Sequence, residues 1–158
     1  MSNFTRSSVS IRQAGVPDIG AVVEMIGQLA EFHGDETTTD RFVVERDITG
    51  SVPWITVLVA EIGRDLVGYV ILCPLYKAQF GQRGMDMHHL FVKRKWRRAG
   101  IGRKLVLAAI DFARLQQCSY FTVGTSPNNI EAQNFYKRQG FISMAKSGPK
   151  FRFQLTSE

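Results

Sequence analysis

An apolar strand, a basic turn that contains glycine, and an amphipathic helix follow one another without a break near the middle of the chain. The strand is MDMHHLFV, residues 85–92, and the helix begins at Gly100 or Ile101. The first backbone N–H groups of a helix have no partner inside it, and the helix dipole adds positive potential there. Because Gly100 and Gly102 lack side chains, phosphate oxygens can approach the backbone closely. This unit predicts an anion-binding site between a strand and a helix.

The positive charge of the chain is concentrated in the same turn. The 158 residues include 20 basic and 14 acidic ones, which gives a net charge of +6. Seven of the basic residues lie between Lys93 and Lys104, and the other 13 are balanced by the 14 acidic residues. A protein that binds nucleic acid through its charge spreads basic residues across a face. The pattern therefore favours a local anionic ligand over nucleic acid or a membrane surface, and a nucleic-acid patch formed by KRKWRR is the weaker alternative.

Length, cysteine content and hydropathy limit the classes of protein to which this chain can belong. A chain of 158 residues fits a single domain, and we expect one over residues 1–158. Cys73 and Cys118 are too far apart in sequence for a metal-binding knuckle or a disulfide framework, so we expect reduced thiols and no metal. The longest uncharged apolar run, residues 66–76, is too short to span a bilayer, and the first residues lack the apolar core of a signal peptide. These features predict a soluble, cytoplasmic protein.

Periodicity and turn residues predict the order β–α–α–β–β–β–α–β–α–β–β, with no internal repeat. Helices alternate with strands except where a hairpin intervenes, which indicates a mixed sheet with helices on both faces. The predicted helices cover residues 19–32, a short stretch ending near 48, 101–117 and 128–139; the predicted strands cover residues 8–14, 54–62, 66–75, 85–92, 119–125, 141–144 and 150–155, with a loop at 76–84.

Two motifs carry a resemblance to a known family. Arg97-x-x-Gly100-x-Gly102 resembles the Arg/Gln-x-x-Gly-x-Gly/Ala pyrophosphate loop of the GNAT superfamily of N-acetyltransferases. NNIEAQNFYKRQGF, which ends at Phe141, is similar to the family's second motif, Asn-x-x-Ala-x-x-Phe-Tyr-x-x-x-Gly-Phe. The motifs occur in the family's order, one strand apart, and the resemblance extends over nearly the whole chain. Two residues depart from the pattern: Arg98 stands where the family usually has glycine, and Arg94 where it often has proline.

The resemblance implies a GNAT fold, with a mixed, mostly antiparallel central sheet of about seven strands, and acetyl-CoA as co-substrate. It implies that the backbone amides of the turn bind the pyrophosphate, and that the end of the preceding strand pairs with the pantetheine arm. The Val92 N–H would polarise the thioester carbonyl. The implied cofactor-binding residues are Phe91, Val92, Arg97, Arg98, Ala99, Gly100, Ile101, Gly102, Arg103, Asn129 and Tyr136.

The resemblance also suggests the acid and the base of the reaction. Tyr136 is the implied general acid, because a hydroxyl group that donates a proton helps the thiolate to leave; the alternative is a core aromatic residue. His88 occupies a position where several family members carry glutamate, and histidine can accept a proton at neutral pH. Strand alternation predicts that His88 and His89 face opposite ways and that His88 shares its face with Asp86. Asp86 could orient His88 or act as the base itself, or both histidines could simply pack in the sheet.

The acceptor amine lies outside these motifs. MIGQLAEFHGDE resembles the first helix and following loop of the diamine (spermidine/spermine) acetyltransferase branch, and Glu31, Asp35 and Glu36 would attract a cation there; the alternative is ordinary surface acids. We therefore expect direct attack by a small cationic amine such as a polyamine, in a ternary complex. A protein N-terminus or lysine is the second choice and an aminoglycoside the third, and a catalytically silent acetyl-CoA-binding module is the remaining alternative. Because members of the family are often dimers, a homodimer is the implied assembly.

Overall fold

The computed structural model describes residues 8–144 and 148–156 and separates into two compact units. The sheet unit ends at Gly124, and the C-terminal unit begins at Thr125. The sheet unit contains β1 (Ser10–Gln13), α1 (Ile19–Phe32), α2 (Arg41–Thr49), β2 (Thr56–Ile62), β3 (Asp65–Lys77), β4 (Gln82–Val92), α3 (Ile101–Leu115) and β5 (Cys118–Val123). The C-terminal unit contains α4 (Ile130–Arg138).

The sheet has the strand order β1-β2-β3-β4-β5 and is mixed. The first four strands pair antiparallel as neighbours in sequence, and β5 pairs parallel with β4. A parallel pair needs a crossover connection, and α3 supplies it between β4 and β5. The predicted fold class, a mixed and mostly antiparallel sheet with helices, is confirmed.

The centre of the sheet is covered on both faces, which is why its strands read as continuous apolar runs. Seven consecutive residues of β3, 66–72, are buried, as are residues 57–60 of β2. Val57, Val59, Tyr69 and Ile71 belong to the core that packs against α1. Residues that alternate with them face α3, whose Leu105 lies beside Gly68. Helices therefore lie on both faces, as predicted.

At Gly68, near the end of β4, the structure leaves no room for a side chain. A Cβ atom at Gly68 would lie 2.7 Å from the Phe91 carbonyl oxygen and 3.2 Å from a methyl group of Leu105. Any larger residue would push β3 away from β4 or from α3. The position of the β4 end therefore depends on a residue without a side chain.

In the C-terminal unit, α4 has the predicted signals at both ends. The Asn129 side-chain oxygen accepts a hydrogen bond from the Ala132 N–H at 3.1 Å, and thus caps the first turn. Gly140 has φ of +97°, and the Phe141 N–H donates to the Tyr136 carbonyl at 3.1 Å. This is the glycine-terminated helix end that the sequence indicates.

The prediction of about seven strands is wrong: over residues 8–144 and 148–156 the sheet has five. Residues 141–144 and 148–156, which include most of the last two predicted strands, contain no strand. Alternating apolar residues predict a strand only if a neighbouring strand covers one face. Here Ile142, Phe151, Phe153 and Leu155 are exposed, and the side chains have no such cover.

The predicted loop at residues 76–84 is also wrong. β3 continues to Lys77, a short 3₁₀ turn spans Ala78–Phe80, and β4 begins at Gln82. Backbone pairing, including Lys77 with Gln82, extends the hairpin although its side chains are exposed. Because the prediction relied on buried side chains, it could not detect a strand end held by backbone hydrogen bonds.

Candidate functional site

One edge of β4 is open over its last five residues. β5 pairs with β4 only as far as Met87, opposite Val123. In the part of the chain that the structure describes, no strand covers residues 88–92 on this side. The Lys93 N–H donates to the Val67 carbonyl of β3 at 2.8 Å. Since N–H groups alternate in direction along a strand, those of Val92 and Leu90 point toward the open edge.

This open edge leads into the N-terminus of α3, which is uncapped. The helix begins at Ile101 with Gly100 as N-cap residue, and no side chain accepts a hydrogen bond from its first turn. Across the described residues, the amides of residues 98–103 find no acceptor. Gly100 has φ of +80°, and a Cβ atom there would meet nothing within 4 Å. Successive free amides beside a left-handed residue form a concave anion site with the positive end of a helix dipole.

The departure at Arg98 has a conformational consequence. Its φ is +62°, in the left-handed region that costs a residue with a side chain roughly 1–2 kcal/mol. The side chain is exposed. Because it turns outward, the backbone amides of the turn stay accessible, as the sequence predicts for an arginine in place of glycine.

The predicted cofactor residues of the sheet unit adjoin one another along this path. Phe91 is buried and Val92 half-buried at the strand end, and Arg97, Arg98 and Ala99 are exposed in the turn. Ile101 is buried beneath the helix start, Gly102 is half-buried and Arg103 exposed. Of the arginines, Arg97 contacts the strand end: its Nε donates to the Val92 carbonyl at 2.9 Å. The free amides and the exposed Arg98 and Arg103 are groups that would suit a pyrophosphate in this turn.

The two histidines of β4 do not face opposite ways, so that prediction is wrong. Ile71 pairs with His89 and Leu72 with Met87, which leaves His88 as an extra residue in β4. This β-bulge breaks the alternation of side chains. The His88 and His89 rings stack, with centroids 4.4 Å apart and an angle of 11° between the planes.

The bulge also changes which histidine lies on the same face of β4 as Asp86. Cys73 pairs with Asp86 and Ile71 with His89, so Asp86 and His89 share the face that packs toward α1. The Asp86 carboxylate accepts a hydrogen bond from the Thr122 hydroxyl at 2.6 Å, and no hydrogen bond joins it to His88. The pairing of Asp86 with His88 that alternation predicts is therefore absent from the described residues.

His89 is the more buried of the two and contacts Tyr69. The Tyr69 hydroxyl lies 3.3 Å from His89 Nδ1. Burial lowers the pKa of His89 to about 4, and the nearby His88 and His33 add to the effect. Burial raises the pKa of Tyr69 well above its ordinary value. At neutral pH the Tyr69 hydroxyl keeps its proton and the His89 ring is uncharged, so the hydroxyl can donate to Nδ1.

The remaining predicted residues, Asn129 and Tyr136, lie in the C-terminal unit. The Asn129 side-chain oxygen is occupied by the α4 cap, which leaves its NH₂ group for other contacts. Tyr136 is half-buried between the rings of Phe135 and Phe141, whose centroids lie 5.4 and 5.6 Å away. Burial raises the pKa of Tyr136. Its hydroxyl therefore remains protonated at neutral and mildly alkaline pH.

Four residues of this region are not among the predicted site residues: Phe32, His33, Tyr69 and Leu90. Tyr69 reads as one more apolar residue of a buried strand, and Leu90 contributes only its backbone. Phe32 is the last residue of α1 and His33 is its C-cap, so both are distant in sequence from β4 and the basic turn. By helical spacing Phe32 continues the apolar stripe of Met25 and Leu29, so the sequence carries no signal that sets it apart from a core residue.

Two negative findings concern the described residues. Within residues 8–144 and 148–156, no group of three or more histidine, cysteine, aspartate or glutamate side chains is placed to hold a metal ion. None of the helices in this part of the chain combines the length and the apolar character that crossing a membrane requires.

Comparison with known sequences agrees with this geometry. The sequence model of the Acetyltransferase (GNAT) family matches residues 24–141, more than half of the chain. Thialysine N-epsilon-acetyltransferase of Sus scrofa is 30% identical over 160 residues, which cover 94% of this chain and 94% of that protein. An uncharacterized N-acetyltransferase of Bacillus subtilis (strain 168) is 28% identical over 137 residues, which cover 84% of this chain and 89% of that protein.

Solved structures share the fold. A ribosomal-protein-alanine N-acetyltransferase from Brucella melitensis biovar Abortus 2308 superposes with a TM-score of 0.74 at 21% identity, over 92% of this chain and 100% of that one. An aminoglycoside acetyltransferase from an uncultured soil metagenomic sample gives 0.76 at 18% identity, over 94% and 97%. At these identities the likeness shows the fold alone. Taken with the family match, the open β4 edge and the basic turn establish that the chain belongs to the GNAT family of N-acetyltransferases.

Proposed function

We propose that the protein transfers an acetyl group from acetyl-CoA to a primary amine by direct attack in a ternary complex. GNAT acetyltransferases use acetyl-CoA as co-substrate. The observation that carries the proposal is the open edge of β4, which runs into the uncapped start of α3. The pantetheine arm would add to this edge as an extra strand, and the pyrophosphate would meet the amides of residues 98–103. Bound acetyl-CoA supplies the activated thioester.

Backbone groups of β4 would polarise the thioester carbonyl. We propose the Val92 N–H as the donor, and the Leu90 N–H is a second candidate because it points to the same open edge. Such a donor stabilises the negative charge that develops on the carbonyl oxygen in the transition state.

For the base we propose His88, acting directly or through water. It is exposed and begins the open edge, whereas the lowered pKa of His89 makes that ring a poor proton acceptor. Asp86 remains the alternative base, since its carboxylate is half-buried and accepts from a single hydroxyl group, that of Thr122. The values of kcat for the variants His88→Gln and Asp86→Asn distinguish the two candidates. Only the substitution that removes the base should lower kcat by about a hundredfold.

For the general acid we propose Tyr136, on the resemblance of the second motif and the raised pKa of its hydroxyl. Tyr136→Phe should lower kcat by about tenfold to hundredfold, because the thiolate would leave unprotonated. The dissociation constant of acetyl-CoA should change little, because the substitution keeps the aromatic ring. Steady-state kinetics and calorimetry measure the two quantities, and wild-type turnover in Tyr136→Phe would remove this assignment.

As acceptor we propose a small cationic amine such as a polyamine or an amino acid with an amine in its side chain. The relative from Sus scrofa is named for acetylation of thialysine. The acidic residues Glu31, Asp35 and Glu36 are exposed at and after the end of α1. Phe32 of this helix end contacts Arg97, so the acidic segment adjoins the turn of the sheet unit. Carboxylates at that place attract a cation before it reacts.

The acceptor is tested by following thiol release from acetyl-CoA with a panel of amines. The panel contains thialysine, spermidine, a diamine, a monoamine of equal length, an aminoglycoside, and peptides with a free N-terminus or a free lysine. We expect kcat/KM for the small polycationic amines to exceed that for the peptides by at least about tenfold. A preference for peptides would make the protein an N-terminal or lysine acetyltransferase. Tight acetyl-CoA binding without turnover of any amine would make it a silent binding module.

We further propose that residues 1–158 form one catalytic domain and that the chain is a homodimer. The family match extends from residue 24 to residue 141 and thus includes parts of both compact units. Light scattering on the purified protein measures the mass of the assembly against the 17.8 kDa of one chain.

A further inference from the structure

The rings of His88 and His89 form a stack where the open edge of β4 begins. The ring centroids are 4.4 Å apart and the planes differ by 11°. Side chains of adjacent residues in a regular strand point to opposite faces and cannot make such a contact. Here the β-bulge allows it, because His88 is the extra residue between the pairs of Ile71 with His89 and of Leu72 with Met87.

The two stacked rings are held to different degrees. His89 is half-buried, and its Nδ1 lies 3.3 Å from the hydroxyl group of Tyr69, a fully buried residue. His88 is exposed, and within residues 8–144 and 148–156 no hydrogen bond or ion pair fixes its ring. An exposed side chain without contacts exchanges between rotamers within nanoseconds. The orientation of the His88 ring therefore depends on the stack with His89.

The charge of His89 favours the stack. Burial lowers the pKa of His89 to about 4, and the nearby His88 and His33 add to the effect, so the ring is uncharged at neutral pH. Two positively charged rings at this distance would repel each other, whereas an uncharged aromatic ring attracts a cation over its face. His88 can therefore take up a proton without losing its stacking partner.

The stack cannot itself carry a proton from one ring to the other. The N–H bonds of an imidazole lie in the plane of the ring, and the two planes are nearly parallel. No nitrogen of one ring therefore points at a nitrogen of the other. Any effect of His89 on proton transfer has to come from the position that it gives to His88.

We propose that His89 is a positioning residue, whose ring holds the His88 ring at the open edge, and that Tyr69 fixes the ring of His89. The Tyr69 hydroxyl donates to Nδ1, so the proton of the uncharged His89 ring is on Nε2. A base that is already held in place does not have to be ordered when the amine arrives, which lowers the barrier to proton transfer. The inference rests on the proposed acetyl transfer with His88 as its base.

The decisive experiment compares two double variants that differ only at residue 89. Both carry Tyr69→Phe, so that no buried hydroxyl group is left without a partner. His89→Phe retains an aromatic face for His88, and His89→Leu replaces it with an aliphatic side chain. We expect kcat to be lower in the Leu variant than in the Phe variant by about threefold to tenfold, the loss of one aromatic pair contact. Equal values of kcat would overturn the inference.

Two further constants separate positioning from substrate binding. The KM of the amine and the dissociation constant of acetyl-CoA should agree within about twofold between the two double variants, because the stack is proposed to act on the base alone. Steady-state kinetics and calorimetry measure them. A Leu variant that raised KM and left kcat as in the Phe variant would place His89 in substrate binding and contradict the positioning role.

Removing the base provides the matched control. In protein that also carries His88→Gln, the exchange of Phe for Leu at residue 89 should no longer change kcat, because the ring that it positions is absent. If the exchange lowered kcat as much as it does when His88 is present, residue 89 would act independently of His88. That result would contradict the inference.

The role of Tyr69 is tested by Tyr69→Phe alone. Nuclear magnetic resonance on the ¹⁵N-labelled wild-type protein should show His89 with its proton on Nε2, and the variant should show a mixture of the two tautomers. The variant should also lower kcat by about threefold, the equivalent of one weak hydrogen bond. A wild-type tautomer and a wild-type kcat in Tyr69→Phe would remove Tyr69 from the proposal.

A readout without turnover separates this inference from the proposed function. A stacked aromatic ring shifts the proton resonances of the ring that it faces, so the His88 ring protons should be shifted in the wild type and in the Phe variant but not in the Leu variant. Unshifted resonances in the wild type would contradict the stack, whatever the kinetics. If the shifts are present and His88→Gln retains the wild-type kcat, the proposed base fails, and so does the positioning role that rests on it.

Discussion

The basic turn at residues 97–102 and the histidine bulge at His88 and His89 lie on the same path through the sheet unit, yet they are specified in different ways. The turn is local: its glycine, its free amides and its charge lie within a few residues of one another. The bulge depends on the register between β3 and β4, whose paired residues are distant in sequence. Local backbone signals were therefore enough to predict the first region, whereas the second required the neighbouring strand.

The largest effect is expected in the turn. Gly102→Glu should weaken acetyl-CoA binding by at least about a hundredfold, because a carboxylate at the second residue of α3 repels the pyrophosphate. The fold should persist, since a negative side chain at a helix N-terminus is favourable to the helix. Calorimetric titration measures the affinity.

Gly20→Glu is the matched control for Gly102→Glu. Gly20 is the second residue of α1, is exposed, and has open space around it. The Gly20→Glu variant should bind acetyl-CoA with the affinity of the wild type. Unchanged affinity in Gly102→Glu would contradict pyrophosphate binding at this turn, and equal loss in both variants would mean that the effect is not local.

The bulge is tested by removing its extra residue. Deleting one residue from a central strand normally turns every later side chain to the wrong face. Here deletion of His88 should keep the fold, because Met87 and His89 would then follow each other in regular register opposite Leu72 and Ile71. Thermal unfolding should show a free energy of unfolding within about 1 kcal/mol of the wild type, with kcat reduced.

Deletion of Leu90 is the comparison for this variant. It should abolish cooperative unfolding, since it exchanges the faces of Phe91 and its neighbours without removing a bulge. If both deletions unfolded the protein equally, the register assigned to β4 would be incorrect.

A smaller effect concerns the pH dependence of stability. The folded pKa of His89 is lowered to about 4, below the usual value of about 6.5 in an unfolded chain. Between these values the unfolded state binds more protons, so the free energy of unfolding falls as the pH decreases from 6.5 toward 4. Urea unfolding at pH 7 and at pH 5 should show this loss in the wild type and a smaller one in His89→Gln. Equal losses in both proteins would indicate that His89 titrates normally.

The smallest effect is expected at Arg98. Arg98→Gly should stabilise the fold by about 0.5–1 kcal/mol, because glycine adopts a φ of +62° without a steric penalty. Acetyl-CoA affinity should fall slightly with the lost charge. The melting temperature and the dissociation constant measure the two changes. A loss of stability would mean that the Arg98 side chain makes a contact that outweighs the strain.

Much of the fold and part of the site follow from sequence patterns. Residues 66–72 read as a buried strand, and Asn129 and Gly140 mark the ends of α4 because caps act within one helical turn. The turn at residues 97–102 has free backbone amides at the start of α3, as its sequence predicts, for the same local reason. The direction of the Arg97 side chain could not be predicted from the sequence. Its acceptor is the Val92 carbonyl, which β5 does not cover because β5 pairs with β4 only as far as Met87. The bulge, and the absence of strands from residues 141–144 and 148–156, depend likewise on pairing between distant segments.

Binding of acetyl-CoA at the basic turn is tested most directly by calorimetric titration of the wild-type protein with acetyl-CoA, with dephospho-CoA and a short DNA duplex as comparisons. We expect saturable, one-to-one binding of acetyl-CoA per chain and no saturable binding of the duplex. Dephospho-CoA retains the pyrophosphate and should bind nearly as well as CoA. Binding of DNA without binding of acetyl-CoA would contradict the proposed function, since the basic turn would then be a nucleic-acid surface and not a pyrophosphate-binding site.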